Sequence, residues 1–413
     1  DLADRSREFA AAFDATIAGR RVTLSQLRAT AGDARLAGEG TIALDEPLAF
    51  DVRATLSRFD PSRFGAFPKG SLDGRVSATG ALAAPWRADI DASIADGSRL
   101  SGVALAGTAR GRITGTEARD VAVDARVAGG RVVAKGNAGR QGDAIAFDVD
   151  LPKLDAARPL ADAWLPTPLE GRLAAKGTVS LVPGNVGIDV RVQGERLRAG
   201  AGFAAAKLDA RVAWTQVPGV PPGKKPIELD LDARDVVAAS VRLASIAAIV
   251  RGTSDEHRAV VRARIADNDI ETSLAGALDG ETVQWRGAME AFRSSGRADV
   301  RLEAPAKLEL ARDRVALASA RLRFAEGEFR VDDLLVEQGR ITSHGAFTGV
   351  PAETVARLAG TSLPFTTDVA FGGAWSIAAT PRLGGTISIR RERGDVRYDA
   401  GPGASREEAS IGL

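Results

Sequence analysis

The chain has 413 residues, with 55 Lys and Arg against 54 Asp and Glu, and its formal charge of +1 gives no field that would draw it to nucleic acid. Aromatic residues are 5% of the chain, with a single tyrosine, so the stacking platforms of single-strand nucleic-acid binders are missing. The absence of cysteine excludes disulfides, iron–sulfur clusters and thiolate zinc sites.

In chain order, Leu2 to Phe13 reads equally as helix or strand. From there the dominant signal is strict alternation of apolar and polar residues, the mark of half-buried strands. Phe50, Val52, Ala54 and Leu56 share one face against Asp51, Arg53 and Thr55, and Ala88, Ile90, Ala92 and Ile94 oppose Asp89, Asp91 and Ser93. The same pattern recurs around Phe147 and Val149; Ile188, Val190 and Val192; Leu229 and Leu231; and Val300 and Leu302. Glycine-rich breaks such as Gly129-Gly130 and Gly139 to Gly142 separate these runs at hairpin spacing. Short helices are expected at Asp60 to Phe67, Asp155 to Leu165 and Pro351 to Ala359. Val217 to Pro226 reads as a long hairpin loop, and Gly401 to Leu413 as a frayed end.

A repeat of about 97 residues underlies the pattern. Ala49-Phe50-Asp51-Val52 returns as Ala146-Phe147-Asp148-Val149, and Leu72-Asp73-Gly74-Arg75 as Leu169-Glu170-Gly171-Arg172. The glycine that closes this motif, Gly80, recurs as Gly177, Gly276 and Gly373. The expected organisation is one continuous repeat region with approximate units 1–82, 83–179, 180–278 and 279–375, and a partial unit 376–413. Because the chain starts at Asp1 and holds no secretory signal or 18-residue apolar run, it reads as part of a longer protein whose membrane contacts lie in termini outside it.

No constellation in the chain suits catalysis, and neither cofactor nor metal is expected. His257 and His344 follow no metal-ligand spacing and are expected at the surface or in turns. Gly200-Ala201-Gly202 superficially fits a dinucleotide fingerprint, but an alternating strand rather than a helix follows it. Asp267, Asn268, Asp269 and Glu271 lack the glycine and distal glutamate of a calcium loop. Trp86, Trp164, Trp214, Trp285 and Trp375 are expected to pack at sheet edges or ends.

Three short helices cannot cover this much apolar sheet, so the sheet must fold onto itself. An outer-membrane barrel is disfavoured because one tyrosine makes no aromatic girdle. The expected fold is all-β, a long curled antiparallel sheet; sealed sandwich domains and one long folded sheet both remain open.

The succession of a Phe-Asp-Val strand, a helix opening at Asp60 or Asp155, and then Leu-x-Gly-Arg resembles the periplasmic repeat region of the TamB and AsmA-like family, most sharply over residues 35–82 and 131–179. The resemblance implies an open hydrophobic groove, often pictured as a taco, in a protein anchored in the inner membrane of a Gram-negative cell and reaching an outer-membrane barrel of the TamA type. It implies that phospholipid acyl chains slide along the groove without enzymatic chemistry. The lining expected on this basis is Phe50, Val52, Leu56, Ile90, Ile94, Phe147, Val149, Ile188, Val190, Val192, Leu229, Leu231, Val300 and Leu302. The competing expectation is a structural or adhesive array of closed β-sandwich domains.

Overall fold

Alternation gives each run a dry pleated face and a wet one, and the glycine-rich turns send the backbone back beside itself. A computed structural model describes residues 9–63, 65–161, 167–183, 185–200, 202–214, 220–238, 241–279, 282–296, 299–324, 326–358, 361–363, 365–380 and 382–397. Trp164, Tyr398 and Gly401 to Leu413 lie outside them. Strand makes up 75% and helix 5%, so the fold is all-β. The chain packs as two bodies, an N-terminal one of residues 1–219 and 233–241 and a C-terminal one of 220–232 and 242–413.

The N-terminal body runs through β1 (Phe9–Ala18), β2 (Arg21–Ala31), β3 (Ala34–Ala43), β4 (Ala49–Phe59), β5 (Gly70–Ala81), β6 (Arg87–Ile94), β7 (Arg99–Leu100), β8 (Val103–Thr114), β9 (Glu117–Val127), β10 (Gly130–Ala138), β11 (Ile145–Leu151), β12 (Leu169–Val182), β13 (Asn185–Ala199) and β14 (Phe203–Trp214). Each pairs antiparallel with the next, except that β6 pairs with β8 rather than β7, and the short β7 pairs with β5 and β8. The ambiguous start of the chain is therefore strand from Phe9 onward. Strand β15 (Pro226–Ala238) carries residues of both bodies.

The C-terminal body contains β16 (Val241–Thr253), β17 (His257–Ile265), β18 (Asn268–Asp279), β19 (Gln284–Ser295), β20 (Val300–Ala304), β21 (Ala306–Ala311), β22 (Arg314–Phe324), β23 (Gly327–Glu337), β24 (Arg340–Pro351), β25 (Thr366–Thr367), β26 (Ala370–Thr380), β27 (Arg382–Arg393) and β28 (Val396–Arg397). Its hairpins follow one another antiparallel, while β25 and β28 form a small pair of their own. One strand is cut in two by Pro305, which has no N–H to donate, and both halves, β20 and β21, pair with β19 and β22.

Of the expected helices, the first is only a 3₁₀ turn at Pro61–Arg63; the second is α1 (Leu154–Ala161), with residues 162–165 outside the described ones, and the third is α2 (Ala352–Leu358), with Ala359 outside them. Asp60 explains the first case, because its carboxylate ties down both ends of the link rather than capping a propagating helix. Oδ1 accepts from the amides of Ser62 (3.1 Å) and Gly70 (2.9 Å) and from the Ser62 hydroxyl (2.8 Å). Burial pushes this carboxyl up, yet the Gly70 and Ser62 hydrogen bonds and the Arg63 charge bring it below its usual value.

The recurrent glycine has a steric cause. A Cβ at Gly80, Gly177, Gly276 or Gly373 would lie 2.0, 2.1, 2.4 or 2.0 Å from a carbonyl oxygen of the neighbouring strand. The adjacent backbone therefore leans over the apolar face at these points, which curls the sheet there toward its dry side. Aromatic rings fill the same space in the C-terminal body, where Trp285 stands over Gly276 and Phe347 over Gly373.

Candidate functional site

Register turns the alternation into rows. In the N-terminal body one row of cross-strand neighbours runs Ala11, Ala29, Leu36, Leu56, Gly74, Ile94, Gly107, Ala125, Val132, Val149, Ala175, Val192, Ala210. The next runs Phe13, Leu27, Gly38, Ala54, Val76, Ala92, Ala109, Val123, Ala134, Phe147, Gly177, Val190, Val212. No polar side chain interrupts either row. Phe50, Val52, Ile90 and Ile188 stand on the same face in flanking rows, so all ten expected lining residues of this body share it. Bulges keep the register in phase: Ser25 and Gln26 together stand opposite Glu39, and this one extra residue lets both Leu24 and Leu27 face the dry side.

Among the described residues no second sheet seals this face, although α1 packs against β12 and reaches β8. All ten residues are half-buried except Val52, which is 38% exposed, and the largest side chain with less than 2% exposure is Ser98. Its hydroxyl exchanges hydrogen bonds with the Asp73 backbone beside β7. The residues wholly out of water are mostly alanines. A closed core would bury its Val, Ile, Leu and Phe instead.

The opposite face is a lattice of cross-strand ion pairs. Arg112 meets Asp89 (2.7 Å), Arg131 meets Asp124 (2.7 Å) and Arg211 meets Asp189 (3.1 Å), each substantially exposed and so individually weak. The tightest group sits at the turns beyond β8 and β10, where both Asp143 oxygens accept from Arg119 at 2.7 Å and Glu117 accepts from Arg140 at 2.8 Å. Burial pushes the Asp143 carboxyl up, but the Arg119 bond and the Arg140 amide outweigh it and hold it below its usual 3.8. Its stabilising effect is therefore present above that value and lost as pH falls below it. Asp143→Asn is expected to lower the melting temperature at neutral pH, with the gap to the parent narrowing as pH falls below 3.8; a gap independent of pH would remove the ion pair from the explanation.

A family profile described as "TamB, N-terminal domain" matches residues 6–317. The chain belongs to the TamB family. No curated protein and no solved structure matches it. TamB-family proteins belong to the periplasm and cell envelope, in a role of outer-membrane protein assembly or lipid transport, and are not known as enzymes. No helix among the described residues is long and apolar enough to cross a membrane.

Rows of the same kind mark the C-terminal body of this TamB-family chain. One passes from Leu302 through Leu322, Phe329, Phe347 and Gly373 to Ile389, and another from Leu278 through Trp285, Leu310, Val315, Val336, Ile341 and Ala379 to Leu383. Val300, opposite Phe324, is on this face too; Leu229 and Leu231 are half-buried on β15. The lining differs in character, because rings gather here: Phe329 lies 5.9 Å from Phe324, 5.6 Å from Phe347 and 6.2 Å from Trp375.

Of the polar residues that the register places on the dry face, Ser343 and His257 are each satisfied by a tryptophan. Trp375 Nε1 donates to Ser343 Oγ (3.0 Å), and Trp285 Nε1 donates to His257 Nε2 (2.8 Å), while His257 Nδ1 lies 2.9 Å from the Thr253 carbonyl. His257, expected at the surface or in a turn, directly follows the bend at 254–256 and is 7% exposed, with both its ring nitrogens partnered. His344 does lie on the wet face, against Asp333 at 2.9 Å. Removing the indole donor strands a buried nitrogen, so Trp285→Phe is expected to cost about 1–3 kcal/mol. A double-mutant cycle with His257→Leu, read in urea, checks it; fully additive losses would contradict the coupling.

Sequence features that resemble other sites dissolve in the structure. Asp269 and Glu271 are engaged by Arg264 (2.7 Å) and Arg262 (3.1 Å), and no group of three metal-ligating side chains occurs among the described residues. The residues after Gly202 form β14. Trp86 lies at a hairpin turn and Trp214 ends its strand.

Proposed function

We propose that this chain is part of a non-enzymatic periplasmic conduit that carries phospholipids between the inner and outer membranes, with their acyl chains on the apolar face, in support of outer-membrane biogenesis. The observation that carries this reading is the uninterrupted cross-strand rows with no second sheet laid over them among the described residues. Exposing an acyl chain to water costs about 0.8 kcal/mol per methylene, hence on the order of 20 kcal/mol for a two-tailed lipid. A dry trough removes most of that barrier.

The dimensions suit tails lying along the strands. Four rows at alternate residues span about 20 Å along each strand, against about 15 Å for the hydrocarbon depth of one leaflet. Each further strand extends the track by about 4.8 Å. Aliphatic contacts are non-directional, so successive positions hold a tail about equally and permit sliding, while head groups stay in water. Full-length protein held in the inner membrane and engaging a TamA-type barrel through a region outside this chain completes the reading. A sealed sandwich array would need a covering sheet for each apolar face, which the exposure of the lining residues disfavours.

Extraction of lipid from the chain purified out of an envelope fraction tests the proposal. Bound phospholipid, exchangeable with labelled phospholipid from vesicles, is expected. Lipid-free protein, with residues 35–131 folding alone as a stable domain, supports sealed domains instead.

A further inference from the structure

One margin of the N-terminal body is a connected rail of hairpin turns. The Leu44 amide donates to the Arg20 carbonyl (2.7 Å), those of Leu82 and Ala83 to Leu48 and Pro47 (3.2 and 3.1 Å), and that of Gly115 to Trp86 (3.2 Å). These bonds fasten the turns after β1, β3, β5 and β8 side by side.

Four large apolar side chains stand out from this rail: Ile17 at 71% exposure, Leu44 at 49%, Leu82 at 56% and Trp86 at 45%. By strand alternation all four continue the dry face, so its apolar stripe runs off this margin into water. Along the facing margin the links between the same strands present charge, with Phe67 the exposed large apolar residue there. The rail also carries Arg20, Arg21 and Arg87, all exposed and without an ion-pair partner among the described residues, against the carboxylates Asp45 and Glu46.

Exposed aliphatic side chains beside a tryptophan, fringed by unpaired arginines, have the chemistry of a membrane interface. We propose that this rail seats on the surface of a lipid bilayer containing anionic phospholipids. Ile17, Leu44, Leu82 and Trp86 enter the boundary between head groups and acyl chains, and the three arginines meet phosphates. A two-fold contact with a second copy fits less well, because it sets the same arginines against one another. Seating on a bilayer does not depend on the conduit reading, since it needs no lipid on the apolar face.

Co-sedimentation of the chain with phosphatidylcholine vesicles, with and without phosphatidylglycerol, tests the rail. Binding is expected to be stronger on the acidic vesicles and to fall more than tenfold in Leu44→Asp/Leu82→Asp. Arg20→Glu and Arg87→Glu are each expected to lose about fivefold on acidic vesicles and little on neutral ones. Brominated lipid should quench fluorescence in the parent and less in Trp86→Phe, with circular dichroism confirming that each variant is folded. The idea is overturned by a parent that ignores vesicles, by folded variants that bind as the parent does, or by a dimer that Leu44→Asp dissolves. Val192→Glu, on the apolar face, must keep vesicle binding; its loss would place the contact in the groove rather than on the rail.

Discussion

Gly177→Ala is expected to destabilise the N-terminal body by about 3 kcal/mol, a large effect for one methyl group. The added carbon lands 2.1 Å from the Asp189 carbonyl oxygen, and the obstacle is backbone, which has no rotamer to retreat into. Relief requires β13 to move off β12, flattening the sheet where it leans over its dry face. The equivalent changes at Gly80, Gly276 and Gly373 should behave alike, since their gaps are 2.0, 2.4 and 2.0 Å. Gly202→Ala, with nothing within 4 Å, should stay within about 0.5 kcal/mol of the parent. Urea midpoints compare them, and a tolerated Gly177→Ala would contradict a curl imposed by close strand approach.

Val192→Glu is expected to stop acyl chains from passing while leaving the sheet intact. Val192 is half-buried between Ala175 and Ala210 in a row that holds no polar group. A charge inside hydrocarbon costs about 2.5–3.5 kcal/mol, which lowers tail occupancy at that position on the order of a hundredfold. A track is only as good as its worst position, so one carboxylate suffices to block it. Arg191→Gln, one residue away on the wet face and 3.8 Å from Asp209 in the parent, should leave lipid binding unchanged. Equal losses from both variants, or none from either, would contradict a one-sided path. The readout is transfer of labelled phospholipid between vesicles, with circular dichroism as the check on folding.

Much of this fold is legible in the sequence because the governing signal has a period of two. Phe50 and Val52 alternate with Asp51 and Arg53, which fixes strand and face together, and the recurrence of Gly80 as Gly177, Gly276 and Gly373 marks a position where only hydrogen fits. What alternation does not contain is the partner of each residue. The row linking Leu56 to Val192 exists only through register, and register depends on bulges such as Ser25-Gln26 that look like ordinary residues. Nor does alternation say whether a dry face is covered; that emerges from the half-exposure of its large side chains.

The one misread helix, at Asp60 to Phe67, has a local cause. Asp60 looks like a helix cap, and it does cap, but its third hydrogen bond to Gly70 closes the link before a second turn forms. His257 carries no sequence signal for burial because its partner Trp285 sits 28 residues away, on a strand to which it is not adjacent. The ring cluster of Phe324, Phe329, Phe347 and Trp375 escapes composition for the same reason, since 5% aromatic residues look sparse until topology gathers them.

Photo-crosslinking in the envelope tests the lipid path most directly. Probes at Val52, Ile90, Val190 and Leu229 are expected to capture endogenous phospholipid, while probes at their wet-face neighbours Asp51, Asp89, Arg191 and Asp230 capture none. Equal capture from both sets, or capture from neither in folded protein, would contradict a lipid path along the apolar face.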